Sequence, residues 1–228
     1  MKKTVKILSI AVALAAGING TAHADGFKIG ADAVSSYVWR GTEYGDSAAI
    51  QPAISYTLPG SGVVVGAWGS YGFVNNLTTE NGDKFRYQET DLYVTVPAGP
   101  FNLTVTNYFI PVPDNNRTFD FSNDGPNTIE VSAGYSKNNL SLLAAINIAG
   151  FDYDHAKYLE AGYKIYDNSK YTAKAFIGAG DEIQYAPEEG TGFRIVNVGM
   201  TVTKDSYSAS YIYNPATEKS NLGFMFSF

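Results

Sequence analysis

Asn221-Leu222-Gly223-Phe224-Met225-Phe226-Ser227-Phe228 closes the chain, and its alternation decides the fold class. Large apolar residues take every second position (Leu222, Phe224, Phe226, Phe228), with small, polar or flexible residues between them. A strand sends successive side chains to opposite faces, so one face here is greasy and aromatic. A long apolar edge left open at the end of a soluble sheet invites aggregation. The pattern therefore points to a strand that meets lipid.

Working back from that strand, period-two segments recur through the chain, and no long amphipathic helical pattern interrupts them. The spacing predicts strands at Phe27–Arg40, Ala48–Leu58, Val63–Gly72, Phe85–Val96, Phe101–Ile110 and Asn127–Ser136. The second half adds Leu140–Ile148, Ala156–Ile165, Tyr171–Gly180, Phe193–Thr203, Ser206–Tyr213 and Ser220–Phe228. Tight turns such as Pro97-Ala98-Gly99-Pro100 and Lys137-Asn138-Asn139 alternate with long connections such as Phe73–Lys84, Pro111–Pro126 and Asp181–Gly192. About twelve strands, with short turns at one end and long loops at the other, define an all-β antiparallel transmembrane β-barrel with short periplasmic turns and longer extracellular loops.

The two termini support export. Lys2, Lys3 and Lys6 precede an apolar run from Ile7 to Ile18 and an Ala22-His23-Ala24 site, so residues 1–24 read as a cleaved signal peptide and 25–228 as the barrel domain. That run is too short to cross a bilayer as a helix. At the other end, Asn221, Gly223, Phe226 and Phe228 resemble the C-terminal signal read by the outer-membrane barrel assembly machinery. The expected location is the cell outer membrane, with membrane lipid, lipopolysaccharide and that machinery as partners.

Composition narrows the function classes. Tyrosine leads the aromatics, with 17 Tyr, 13 Phe and 2 Trp, as suits the interfacial girdles of a barrel. Cysteine is absent, which removes disulfides and thiolate metal sites. The net charge of −6 falls to −9 once the three signal-peptide lysines are lost. No basic stripe exists to neutralise phosphates, so nucleic acid is not an expected partner.

Alternation assigns the faces. Leu159, Tyr163 and Ile165 face lipid, as do Leu92, Val94 and Val96, while Val63–Gly72 is apolar on both faces. A basic side chain on the lipid face at mid-membrane costs ~2–4 kcal/mol, so the charged face is the interior. The pore-lining candidates are Lys28, Asp32, Arg40, Gln51, Glu89, Asp91, Glu130, Glu160, Lys164 and Lys174. Parity places Arg40 at the outer end of the first strand, with Tyr37 and Trp39 on the opposite, lipid-facing side. Arg40 then either lines a constriction or is held in a salt-bridge network with inward acids.

Three elements carry a family resemblance: Ser35-Ser36-Tyr37-Val38-Trp39-Arg40-Gly41, Ala49-Ile50-Gln51-Pro52 and Gly66-Ala67-Trp68-Gly69-Ser70. In order and spacing they resemble the TorF family of proteobacterial porins, over roughly residues 31–70. The resemblance implies an outer-membrane barrel and supplies no substrate or functional residues.

Catalytic signals are sparse. His155, the one histidine past the signal peptide, lies in a loop with no serine within several residues, so no catalytic residue and no enzyme activity are expected. No phosphate loop or zinc-ligand cluster appears and no cofactor is expected. The loops carry fourteen carboxylates, from Glu43 to Glu218, against Lys84, Arg117 and Lys219. An acidic mouth raises the local cation concentration, and Asp152 and Asp154 are a weak candidate for a divalent ion. The expected function is a porin-like channel for passive diffusion of small hydrophilic solutes. The alternative is a closed structural or adhesive barrel whose acidic loops bind cations, lipopolysaccharide or another surface.

Overall fold

A computed structural model describes residues 26–151, 155–185 and 192–228, without the side chains of residues 182 and 183. The signal-peptide segment and the Asp152/Asp154 pair lie outside the described residues. The strands are β1 (Phe27–Val34), β2 (Tyr37–Trp39), β3 (Thr42–Tyr44), β4 (Ala49–Thr57), β5 (Val64–Gly72), β6 (Leu77–Thr78), β7 (Lys84–Phe85) and β8 (Gln88–Ala98). They continue as β9 (Phe101–Phe109), β10 (Asn127–Lys137), β11 (Leu140–Gly150), β12 (Lys157–Asp167), β13 (Thr172–Gly180), β14 (Arg194–Lys204), β15 (Tyr207–Asn214) and β16 (Lys219–Ser227). One helical turn, α1 (Glu182–Tyr185), follows β13.

Twelve of these strands close a barrel in the order β1-β16-β15-β14-β13-β12-β11-β10-β9-β8-β5-β4, every neighbour antiparallel. Closure satisfies the backbone groups that an open sheet would expose to lipid. Among the described residues no helix is long and apolar enough to cross a membrane. The β1–β16 joint is the shortest, at three register pairs. It is extended by Phe228, whose N–H donates to the Ala31 carbonyl and whose carbonyl accepts from the Ala31 N–H, each at 3.0 Å.

The wall separates two environments. Outward residues such as Leu92, Val94, Leu103, Val105, Leu159, Leu222 and Phe224 are apolar and exposed. At the tight-turn end, ring pairs Phe27–Tyr56, Phe101–Tyr135 and Tyr207–Phe226 lie at 4.5, 5.0 and 5.0 Å and form an aromatic girdle. The inner wall toward the same end carries hydroxyls bonded across strands, with Thr95–Thr104 at 2.9 Å, Thr201–Ser210 at 2.8 Å and Thr203–Ser208 at 2.8 Å. A lysine at Val94 of the outer wall therefore costs about 2–4 kcal/mol in urea unfolding from lipid vesicles, whereas Thr95→Lys beside it costs far less. Equal losses at the two positions would contradict the assignment of faces.

The largest departure from alternation lies after the first strand, and it shapes the lumen. The first strand ends at Val34, six residues before the expected Arg40. Ser35 keeps the wall briefly, its N–H donating to Phe224 O and its Oγ accepting from Phe224 N–H, both at 2.9 Å. Beyond it the chain leaves the wall and pairs with itself, Tyr37 with Tyr44 and Trp39 with Thr42. The two residues between, Arg40 and Gly41, have φ of 49° and 84°. Positive φ at both central positions is the mark of a type I′ hairpin turn. Tyr37 and Trp39 are thus not lipid-facing: they are 7% and 8% exposed, inside the barrel. Burial of each ring is worth about 1.5–3 kcal/mol, which favours turning the hairpin inward over leaving it in water. The expected strand at Phe85 is also corrected, since Phe85 belongs to the loop hairpin β6–β7 and the wall resumes at Gln88.

Candidate functional site

The inturned hairpin β2–β3 meets side chains from the wall strands and α1 in the loop-end half of the lumen. Its rings stack on one another and on the wall. Tyr37 lies 5.4 Å from Trp68 on β5 and 5.8 Å from Tyr87, Tyr44 lies 5.4 Å from Tyr87, and Trp39 lies 5.7 Å from Tyr108 on β9 and 5.9 Å from Tyr185 on α1. Ala53, Ala145, Tyr158 and Val196 complete a buried core from β4, β11, β12 and β14. Aromatic pairs at these separations each add about 0.5–1.5 kcal/mol beyond their buried area.

Arg40 is the centre of this plug. Nη1 donates to Glu130 Oε2 at 2.7 Å and Nη2 to Glu130 Oε1 at 2.9 Å, a two-point pair with both side chains almost wholly buried. Nη1 also donates to the Tyr185 hydroxyl. The guanidinium lies 4.3 Å above the Trp39 ring and 4.5 Å from that of Tyr158, within cation–π range. Tyr108 donates its hydroxyl to Glu130 Oε1 at 3.2 Å. A guanidinium suits this position because its planar fork matches a carboxylate and its faces stack on rings. Gly41 sets the depth of insertion: a Cβ there would stand 1.8 Å from Val196 O. Nearby, Asn214 Nδ2 donates to Gly41 O at 3.3 Å and links the turn to β15.

The remaining candidates divide by height. Glu89, 3% exposed, accepts from the Tyr87 hydroxyl at 2.7 Å, and Asp91, fully buried, stands in register with Trp68 and Tyr108. Asp32 is buried and pairs in register with Ser227, while Gln51 Nε2 donates to Ser70 Oγ at 3.2 Å. Glu160 accepts from the Tyr158 hydroxyl at 2.8 Å and from Asn197 Nδ2 at 3.1 Å. Toward the tight turns, Lys164 donates to Asp167 at 2.8 Å, Lys174 lies against Gly162, and Lys28 is exposed near the rim. The inner face is therefore acidic in its loop-end half and basic near the turns, and the structure gathers Arg40, Glu89, Asp91 and Glu130 with the aromatic plug.

Sequence reasoning missed the rings. Tyr44, Trp68, Tyr87, Tyr108, Tyr158 and Tyr185 all belong to the buried core or pack against it. The available signal was Trp39-Arg40-Gly41-Thr42, two residues with a glycine between alternating aromatic flanks. Outside the plug, His155 Nδ1 lies 3.0 Å from Asn147 O, a backbone contact at the β11 end. On the exposed loop before β10, the Ser122 hydroxyl and then its N–H hold the Asp120 carboxyl below the usual carboxylate range, at 2.7 and 3.0 Å.

Fold and site together define a closed twelve-strand barrel with a lipid-compatible outer wall and a polar, plugged interior. The chain belongs to a family described as a bacterial protein of unknown function (Gcw_chp), whose model matches residues 20–224. No curated protein matches it. Among solved structures, the Salmonella typhi OmpF complex with daunomycin aligns with 91% of this chain and 100% of its own, at 9% identity and a TM-score of 0.34. The barrel assignment stands on the strand pairing itself.

Proposed function

We propose that this protein is an outer-membrane channel of the porin-like kind for small hydrophilic solutes, held closed in this conformation by the Tyr37–Tyr44 hairpin. The observation that carries the reading is the inner wall. Hydroxyls and lysines line it at the turn end, and the obstruction at the loop end belongs to a segment that is no part of the barrel wall. A plug on a separate segment can move without breaking strand pairs. The resemblance to the TorF porins over residues 31–70 agrees with this reading.

The test is a planar-bilayer recording of the full chain beside a variant in which residues 37–44 are replaced by a short Gly/Ser linker. The parent is expected to show rare or small steps, and the variant steady, larger ones. Silence from both would reject the channel. It would favour the second reading, a closed structural barrel that presents acidic loops, which the tight packing around Arg40 supports.

A further inference from the structure

The hairpin rests on a pair of carboxyl groups. Glu89 and Asp91 stand two residues apart on β8, so both point into the lumen, and they are 3% and 0% exposed. Their side chains are hydrogen-bonded to each other. An ionised carboxylate only accepts, so two carboxyls bond to each other through a proton that one of them carries. Glu89 also takes the hydroxyls of Tyr87, at 2.7 Å, and of Tyr37 on the hairpin. Three donors around Glu89 suit its ionised form and leave the proton on Asp91. The pair thus holds one negative charge and one proton, and Tyr37 ties it to the hairpin.

The surroundings decide what a second charge would do there. The hairpin brings Tyr37 and Tyr44, β8 brings Tyr87, and β9 brings Tyr108. From β10 comes Glu130, a like charge toward Asp91, and Arg40 is committed to Glu130 at 2.7 and 2.9 Å and to Tyr185 of α1. Trp68 and Ser70 face the pair from β5 and do not titrate. The cavity of about 30 Å³ beside Glu89 is not lined by Asp91. At roughly 10–15 Å³ for one water it falls short of a hydration shell. We propose that the Glu89–Asp91 pair is a pH-sensitive latch, whose shared proton lets the Tyr37–Tyr44 hairpin stay seated and whose loss as pH rises drives the hairpin out. Two bare carboxylates side by side in a water-poor, ring-lined site repel each other and lack hydration. Once the hairpin leaves, both face lumenal water and ionise as ordinary carboxylates, at about pH 4. The seated state therefore holds one proton that the released state gives up. Linkage then favours release by about tenfold per pH unit, until the seated state loses the proton as well. Acid seats the hairpin and base frees it. The proposal rests on the reading of the hairpin as a movable plug, and where the barrel conducts it makes opening depend on pH.

The test is a titration of the full-length protein in detergent from about pH 6 to about pH 10, where free tyrosine begins to ionise. Release is read by access of an aqueous quencher to Trp39 and Trp68, with tyrosinate absorbance followed in parallel. Quenching is expected to rise with pH, in step with loss of an infrared carboxylic-acid band that Asp91→Asn lacks. Asp91→Asn keeps a donor toward Glu89 without a proton to lose, and Glu89→Gln offers the same donor toward Asp91. Each is expected to abolish the rise and hold quenching at the parent's low-pH level. Heat-modifiable gel mobility confirms that the variants are folded. Glu89→Gln carries the test if Asp91→Asn does not fold, and the parent's infrared band carries it if neither does. Quenching of the parent that ignores pH would overturn the proposal, as would absence of the carboxylic-acid band at the start. So would a rise that persists in a folded variant, which would assign it to the tyrosines. Bilayer recordings at the same pH values separate the latch from the channel. Quenching that rises without conductance keeps the latch and rejects the channel, whereas a conducting hairpin-replaced variant beside a parent indifferent to pH does the reverse.

Discussion

Removing either half of the Arg40–Glu130 pair is expected to release the hairpin while leaving the barrel standing. Both side chains are almost wholly buried, so Arg40→Ala abandons a carboxylate in the lumen and Glu130→Ala abandons a guanidinium. Breaking a buried pair by deleting one partner costs about 3–5 kcal/mol. The twelve wall strands keep their pairing without these side chains, so the loss falls on the seating of residues 37–44. At about 1.4 kcal/mol per factor of ten, amide exchange in that segment should rise on the order of 10²- to 10³-fold, with the exchange of β8 to β10 nearly unchanged. The double variant Arg40→Met with Glu130→Leu leaves no buried charge and should exchange more slowly than either single variant. Equal exchange in parent and single variants would show that the pair does not hold the plug.

Gly41→Val is expected to do the same by steric means. A Cβ at position 41 would stand 1.8 Å from the Val196 carbonyl oxygen, where neither backbone has room to move within the wall. The φ of 84° adds a cost that a β-branched residue bears worst. Both tryptophans are buried where plug and wall meet, Trp39 on the hairpin and Trp68 on β5 against Tyr37. Expulsion should therefore shift the emission to longer wavelength, admit an aqueous quencher and raise conductance. Gly60→Val is the control, since Gly60 has a φ of 81° and nothing within 4 Å of an added Cβ. A Gly41→Val spectrum equal to the parent's would mean that the turn does not press on β14.

Most of the wall was legible in the chain because lipid outside and water or polar groups inside impose a strict period of two. Leu222, Phe224 and Phe226 on β16, or Leu92, Val94 and Val96 on β8, announce their face without knowledge of the neighbours. Loop lengths carried the topology for the same reason, since a closed antiparallel sheet sorts its connections to two ends. The plug was hidden by the same rule. Tyr37-Val38-Trp39-Arg40 alternates as well as any wall strand, and alternation states that side chains take opposite faces without stating which environment each face meets. Once the segment leaves the wall, both faces lie within the lumen. Bulges blurred the rest: the register shift at Gly178/Ala179 leaves both Val196 and Asn197 buried, and the one at Lys164/Tyr166 leaves both Ile165 and Tyr166 exposed. The Arg40–Glu130 pair spans ninety residues of sequence. Nothing local to Arg40 names its partner, although parity did place both side chains inside.

The absence of cysteine makes the central claim open to direct measurement, because any single cysteine introduced is the sole label site. Single cysteines at positions 37 to 44 and 88 to 96 would be probed in intact membranes with a charged, membrane-impermeant maleimide and with a lipid-soluble one. A barrel with an inturned plug predicts two patterns. In Gln88–Val96, positions 92, 94 and 96 react with the lipid-soluble reagent alone. In Tyr37–Tyr44, positions 37 and 39 resist both reagents in the parent and yield to the charged one in Gly41→Val. Labelling of positions 37 and 39 by the lipid-soluble reagent, in step with 92 and 94, would place the hairpin in the wall and contradict the account.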